Sequence, residues 1–281
     1  MNFESRIGFM QGRLIRSIGN QIQSFPKDYW QNEFPLAENI GFRKMEWVFD
    51  DYDNPILDKN EHEKINSLCN DHQIRISSIC ADFFMVHKLF SESSSELDNN
   101  FLILENIIEK STQMDIKIIE IPLVDSSSIK LESNRIQFSR NFEKIIPFAE
   151  KNGIILNLET DLPPNEFKEL ITDFSSKFVR ANYDIGNSIS LGYNIENELI
   201  ILDDLISNVH VKDRLIGGKT VPLGDGNVDF ELFFKTLAGI GYTGDFIIQG
   251  ARENENLIST VETCRKYFKF VKNHLDKYFN I

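Results

Sequence analysis

Short runs of β-branched and other apolar residues recur along the 281-residue chain, at Arg6–Met10, Lys44–Phe49, Ile74–Ala81, Lys117–Pro122, Ile154–Glu159, Val179–Asp184, Ser207–Lys212 and Asp245–Gln249. Their lengths and residue types predict eight strands. Between them the apolar spacing changes to three and four. Leu97, Phe101, Leu104 and Ile108 mark one helix, Phe138, Phe142, Ile145, Ile146 and Ala149 a second, and Leu257, Val261, Cys264, Phe268, Val271 and Leu275 the clearest. Such stripes can lie against a sheet. Strand then helix, eight times over, predicts an α/β fold: a closed (β/α)8 TIM barrel forming a single domain over residues 1–281. A doubly wound open sheet is the rival. It would usually carry Gly-x-Gly-x-x-Gly after its first strand, and Gly8-Phe9-Met10-Gln11-Gly12 has the wrong spacing. Serine-rich stretches at Ser91–Ser95 and Ser126–Ser128 follow the third and fourth strands and read as long strand-to-helix loops.

The same alternation sorts the polar residues, because side chains two apart share one face of a strand. In the fifth run Leu156 and Leu158 face the helices while Asn157 and Glu159 face the barrel axis. The sixth turns Asn182 and Asp184 inward, the seventh Asn208, His210 and Lys212, and the eighth Ile247 and Gln249. Four neighbouring strands therefore deliver Glu159, Asp184, His210 and Gln249 to the carboxyl-terminal mouth, where barrels of this architecture build their active sites. Carboxylates crowded into a confined mouth repel one another and lose hydration, and a divalent cation offsets both costs. The donor set is mainly hard with one borderline nitrogen, which suits one Mn²⁺, Mg²⁺ or Co²⁺ ion, with Zn²⁺ also compatible. The competing interpretation is a hydrogen-bonded polar plug without metal, and for His210 alone a satisfied core histidine.

Further polar positions are candidates for binding a substrate. Glu46 is in phase with Lys44 on the second strand, Glu120 with Pro122 on the fourth, and Asp82 and His87 follow the third. Each could meet the hydroxyls of a polyol, and each has a structural ion pair or hydrogen bond as its alternative. Arg13 after the first strand, Arg252 just beyond the last and Lys212 on the face of His210 could each meet an anionic or carbonyl oxygen. The segment Gly217-Gly218-Lys219-Thr220-Val221-Pro222-Leu223-Gly224-Asp225-Gly226 lacks the glycine spacing of a phosphate loop and reads as a mobile lid over the mouth.

Composition narrows the partners. Lys and Arg total 30 against 43 Asp and Glu, a formal charge of −13, so attraction to nucleic acid or anionic lipid is not expected. No apolar run has the roughly 20 residues needed to cross a bilayer, and the amino end, with Glu4 and Arg6, lacks a signal peptide's layout. A cytoplasmic location is the expectation. Cys69, Cys80 and Cys264 are odd in number and far apart, which predicts buried free thiols.

Asn157-Leu158-Glu159, Tyr183-Asp184-Ile185-Gly186-Asn187, Val209-His210-Val211-Lys212-Asp213 and Val221-Pro222-Leu223-Gly224-Asp225-Gly226, followed by Val228-Asp229-Phe230 and Gly241-Tyr242-Thr243-Gly244, carry a family likeness. At these residues the chain resembles the sugar-phosphate isomerase/epimerase family of xylose-isomerase-like barrels, which includes L-xylulose-5-phosphate 3-epimerases and related keto-sugar epimerases. The resemblance implies a small sugar or sugar-phosphate substrate, one divalent metal held by Glu159, Asp184, His210 and Gln249, and pairing of barrels into a homodimer through outer helices and loops. Asn187, within the second motif, joins the substrate-binding candidates. One position departs from the epimerase pattern: those enzymes place a second glutamate where this chain has Gln249. An amide oxygen can ligate a metal but cannot serve as a general base.

With that departure, the resemblance implies a metal-dependent isomerase or epimerase working through an ene-diolate, with Glu159 as base and Lys212 helping to hold the oxyanion. Epimerisation would need another acid, such as Glu120 or His87. A dehydratase and a non-catalytic sugar-binding barrel remain alternatives. An apurinic-site endonuclease shares the fold, but five histidines and a charge of −13 fit its metal cluster and DNA substrate poorly.

Overall fold

The computed structural model describes residues 3–15, 23–252 and 256–279. The expected strands appear with their ends moved by no more than one residue. They are β1 (Ile7–Met10), β2 (Lys44–Val48), β3 (Arg75–Cys80), β4 (Ile118–Leu123), β5 (Ile155–Thr160), β6 (Val179–Asp184), β7 (Ile206–Val211) and, after a short hairpin of β8 (Asp213–Arg214) and β9 (Thr220–Val221), β10 (Asp245–Ile248). The eight long strands close into a barrel in the order β1-β10-β7-β6-β5-β4-β3-β2, every pairing parallel. The outward residues Leu156, Leu158, Val209 and Val211 are fully buried beneath the ring of helices, so the apolar half of each strand's alternation makes the core between sheet and helices.

Two of the three expected helices run unbroken, Ser94–Gln113 and Leu257–Tyr278. The stripe from Phe138 to Ala149 instead divides into Glu132–Phe142 and Ile146–Asn152. Pro147, in the first turn of the second piece, has no N–H to continue the preceding helix, and its fixed φ suits a new start. Gly41 ends the helix Glu33–Ile40 at φ 114°, with the Phe268 ring so close that a side chain there would have to displace it.

The segment read as a lid is built as a hairpin. Asp213, fully buried, accepts hydrogen bonds from the backbone N–H groups of Gly224 and Gly226 at 2.9 Å and of Val228 at 3.2 Å. A Cβ at Gly226 would collide with that carboxylate. One buried anion thus ties the far side of the loop to β8.

The opposite end of the barrel is closed by matched charges. Lys44, first residue of β2, lies 2.5 Å from Asp245, first residue of β10. Gly8 on β1 leaves room for the stem of Lys44 and for Ile247 inside the barrel. Arg6 donates to the carbonyls of Gly244 and Tyr242 and packs against the rings of Phe3, Tyr242, Phe246 and Phe279.

Candidate active site

At the carboxyl-terminal mouth Glu159 on β5, Asp184 at the end of β6 and His210 on β7 each offer a ligand atom within 4.8 Å of the others, and all three are buried. His210 Nδ1 stands 3.2 Å from Glu159 Oε2 and 3.9 Å from Asp184 Oδ2. The other ring nitrogen, Nε2, is 2.6 Å from Glu46 Oε1. Glu46 is itself held by Ser78 Oγ at 2.5 Å and Asn208 Nδ2 at 2.9 Å. This fully buried carboxylate therefore sets the ring so that Nδ1 faces Glu159 and Asp184, the usual role of a group behind a ligating histidine. Burial pushes the imidazolium toward losing its proton, but the charges of Glu46 and Glu159 outweigh it and hold the His210 pKa well above the ordinary histidine range.

Amide side chains orient the carboxylates. Asn182 Nδ2 donates to Glu159 Oε2 at 2.8 Å and Asn187 Nδ2 to Glu159 Oε1 at 2.7 Å. Asp184 caps the helix Ile185–Ser190 by accepting from the Asn187 N–H at 2.8 Å, leaving Oδ2 to Lys212 Nζ at 3.2 Å. Lys212 also donates to Gln249 Oε1 at 3.0 Å. Its ammonium thus stands as a positive charge between Asp184 and Gln249. The stem of Lys212 passes over Gly186, where a Cβ would lie 2.7 Å from Lys212 Cγ. Glu159, Asp184 and His210 fit a divalent cation in donor type and spacing. Gln249, the fourth ligand expected from the sequence, has its oxygen engaged by Lys212.

The remaining sequence candidates fall into distinct places. Asn187 Oδ1 accepts from Lys212 at 3.3 Å and from Arg214 Nη1 at 2.9 Å. Asp82 joins the group through Gln23: Gln249 Nε2 donates to Gln23 Oε1 at 2.8 Å, and Gln23 Nε2 donates to Asp82 Oδ2 at 2.6 Å. Arg13 Nη2 donates to the same Gln23 oxygen at 3.1 Å. Burial pushes Asp82 up to about 6. Glu120 is wholly enclosed beside Cys80, and burial with the charge of Glu159 drives its pKa well above the usual carboxylate range. Its ligand atom lies within 4.8 Å of those of Glu46 and Cys80.

His87 and Arg252 make no hydrogen bond to this group. The His87 ring stacks on Phe83 with centroids 4.1 Å apart. Arg252 lines a small cavity with Arg13 and Cys264, near the buried Glu33, whose carboxylate accepts from the Gly12 and Leu14 N–H groups and is pushed by burial up to about 7. All three cysteines are free; Cys80 and Cys264 are buried and Cys69 is partly so.

The candidates drawn from the sequence omit Gln23, Ser78, Asn182, Asn208 and Arg214. The alternation places Asn182 and Asn208 on the inward face with Asp184 and His210 but assigns them no role there, and Arg214 continues the row of Lys212 two residues further, so extending the period would have found it. Gln23 sits on a loop with no period to follow.

Comparison with known proteins agrees with this fold. The chain is 27% identical over 269 residues, covering 89% of this chain and 94% of the relative, to the putative L-ribulose-5-phosphate 3-epimerase SgbU of Haemophilus influenzae. Among solved structures it superposes with a TM-score of 0.76 on D-psicose 3-epimerase determined in the presence of D-fructose, at 15% identity, covering 96% of this chain and 99% of that one. It superposes with a TM-score of 0.75 on the IolI protein with a bound zinc atom, at 18% identity, covering 98% and 100%. Both likenesses are of fold. No helix among the described residues is long and apolar enough to cross a membrane. The family model for xylose isomerase-like TIM barrels matches residues 34–267, and the chain belongs to that family.

Proposed function

We infer that the protein is a divalent-metal-dependent isomerase or epimerase of a keto sugar or its phosphate. The observation that carries this is the convergence of Glu159, Asp184 and His210 on one point at the mouth, with His210 turned there by Glu46. A bound cation would polarise the sugar's carbonyl and adjacent hydroxyl, making the neighbouring C–H proton easier to remove. Glu159 takes that proton. Asn182 and Asn187 each hold one of its oxygens, so its orientation is fixed before substrate arrives. Lys212 offers a positive N–H donor to the oxygen that gains charge, and Asp184 keeps the ammonium in place. Asn187, Arg13 and Asp82 lie on the hydrogen-bond network around these groups and are suited to sugar hydroxyls or a phosphate oxygen. The name carried by the Haemophilus relative supports a ketose phosphate as the first substrate to try.

A second reading, a metal- and sugar-binding protein without turnover, is favoured by one observation: the side chain bridged to Lys212 is Gln249, which cannot exchange a proton. Isotope exchange separates the two. The metal-loaded protein, given L-ribulose 5-phosphate and a panel of ketoses in deuterated water, should wash out a carbon-bound proton, and Glu159→Gln should slow this by at least about 10²-fold. A binder leaves every carbon-bound proton in place. Full exchange in the variant would remove Glu159 from the mechanism.

A further inference from the structure

Inverting a carbon centre needs a proton carrier on each face of the planar ene-diolate, and Glu159 can serve only one of them. The opposite carrier must reach the mouth, must hold and release a proton, and must not be locked into supporting another group. Gln249 fails the second condition. Glu46 fails the third, with its oxygens committed to His210, Ser78 and Asn208. Glu120 fails the first, being wholly enclosed. Asp50 is held by the Phe25 N–H at 2.8 Å on the loop after β2.

Asp82 meets all three. It follows β3, which stands two places from β5, the strand of Glu159, and three from β10, which leads to Gln249, around the eight-membered ring. It is partly exposed, and a single side chain, Gln23, links it to Gln249 through hydrogen bonds of 2.8 and 2.6 Å. Its other oxygen accepts only a weak bond, from Cys80 Sγ at 3.3 Å. We propose that Asp82 is the second acid–base group of the epimerisation: Glu159 removes the carbon-bound proton from one face of the keto sugar, and protonated Asp82 returns a proton to the same carbon on the other. The C–H electron pair passes into the ene-diolate and comes back to form the new C–H bond. Asp82 ends as carboxylate and Glu159 as acid, and exchange with water resets both, so no further reactant is needed. Burial, with smaller contributions from Asp50 and Glu159, raises the Asp82 pKa to about 6, which leaves protonated carboxyl available near neutral pH.

The inference rests on the enolising chemistry proposed above, and the test separates the two. Metal-loaded wild type, Asp82→Asn and the double variant Asp82→Asn/Gln249→Glu are incubated with L-ribulose 5-phosphate in deuterated water, and epimer yield and deuterium in recovered substrate are followed by NMR. Wild type is expected to form epimer labelled at the inverted carbon. Asp82→Asn is expected to lose epimer formation by at least about 100-fold while Glu159 still places deuterium in the recovered substrate. The double variant, with a carboxylate restored within reach of Gln23, is expected to recover epimerisation. Epimer formation by Asp82→Asn within about threefold of wild type would overturn the role of Asp82 while leaving the enolising chemistry standing. Loss of exchange together with epimerisation, or no recovery in the double variant, would make Asp82 a structural residue and equally overturn it. Absence of exchange in wild type would sink the enolising chemistry, and this inference with it.

Discussion

The two ends of the barrel hold ionised groups in opposite balance. At the floor the Asp245 carboxylate meets the Lys44 ammonium at 2.5 Å, and Arg6 is satisfied by carbonyls and aromatic faces. Every charge there has an answer within the fold. At the mouth Asp82, Glu159 and Asp184, with Glu46 and Glu120 enclosed behind them, stand near the cationic side chains of His210, Lys212, Arg13 and Arg214. Matched charges at one end lock the cylinder shut. Carboxylate crowded at the other is an arrangement that folding alone does not favour, since each buried anion loses hydration, and a bound cation would relieve it.

The largest test of this contrast removes a ligand at the mouth. Asp184→Asn keeps the shape and takes away one charge, so the protein should bind at least 10-fold less Mn²⁺ or Zn²⁺ by calorimetry, and exchange activity should fall by about 10³-fold. Its thermal stability without metal should be equal or higher, because repulsion among the carboxylates is reduced. A clear drop in metal-free stability would mean that these groups are structural after all. The floor should answer in the reverse sense. Lys44→Met leaves Asp245 without its partner, which should cost about 3 kcal/mol of unfolding free energy in urea titrations and leave metal affinity unchanged. If Lys44→Met instead weakened metal binding by more than a few fold, the two ends would be coupled and the contrast would fail.

How much of this was legible beforehand follows from how far each feature depends on local order. Alternation along a strand is local, so the eight strands and the inward phase of Glu159, Asp184, His210 and Gln249 could be read directly. Pro147 was also visible, and its missing N–H explains why one apolar stripe became two helices. Depth in the barrel was not legible. Glu46 has the same inward phase as a residue facing the mouth, but the β2–β3 pairing shifts register between Met45 and Glu46, and the carboxylate ends beneath His210 with Ser78 beside it. Contacts made by loops were likewise hidden. Gln23 connects Gln249, Asp82 and Arg13, residues far apart in sequence, from a segment without periodicity. The Lys212 bridge between Asp184 and Gln249 depends on three strand ends meeting, which phase alone does not specify.

A third kind of buried carboxylate lies between these extremes and measures what the mouth would cost with no cation at all. Glu198, on the helix Ile195–Leu202 behind β6, has no cationic partner among the described residues; it accepts from the Tyr183 hydroxyl at 3.0 Å and from Ser188 Oγ. Burial raises its pKa from the ordinary 4.5 to about 7, the two hydroxyls only partly opposing the shift. A carboxyl whose folded pKa is raised is held more tightly as the acid in the folded chain. Its contribution is complete below about 4.5 and is lost as the pH climbs through about 7. Between pH 5 and 8 wild type should therefore lose about 2 kcal/mol through this group, and Glu198→Gln, which cannot ionise, should remove that part of the slope in urea titrations across the same range. Glu33 and Asp82 are raised in the same direction and keep their own share of the slope in both proteins, so the difference between the two curves isolates Glu198. Parallel curves would show that neutral donors can hold a buried carboxylate ionised here, and the crowding at the mouth would then no longer demand a cation.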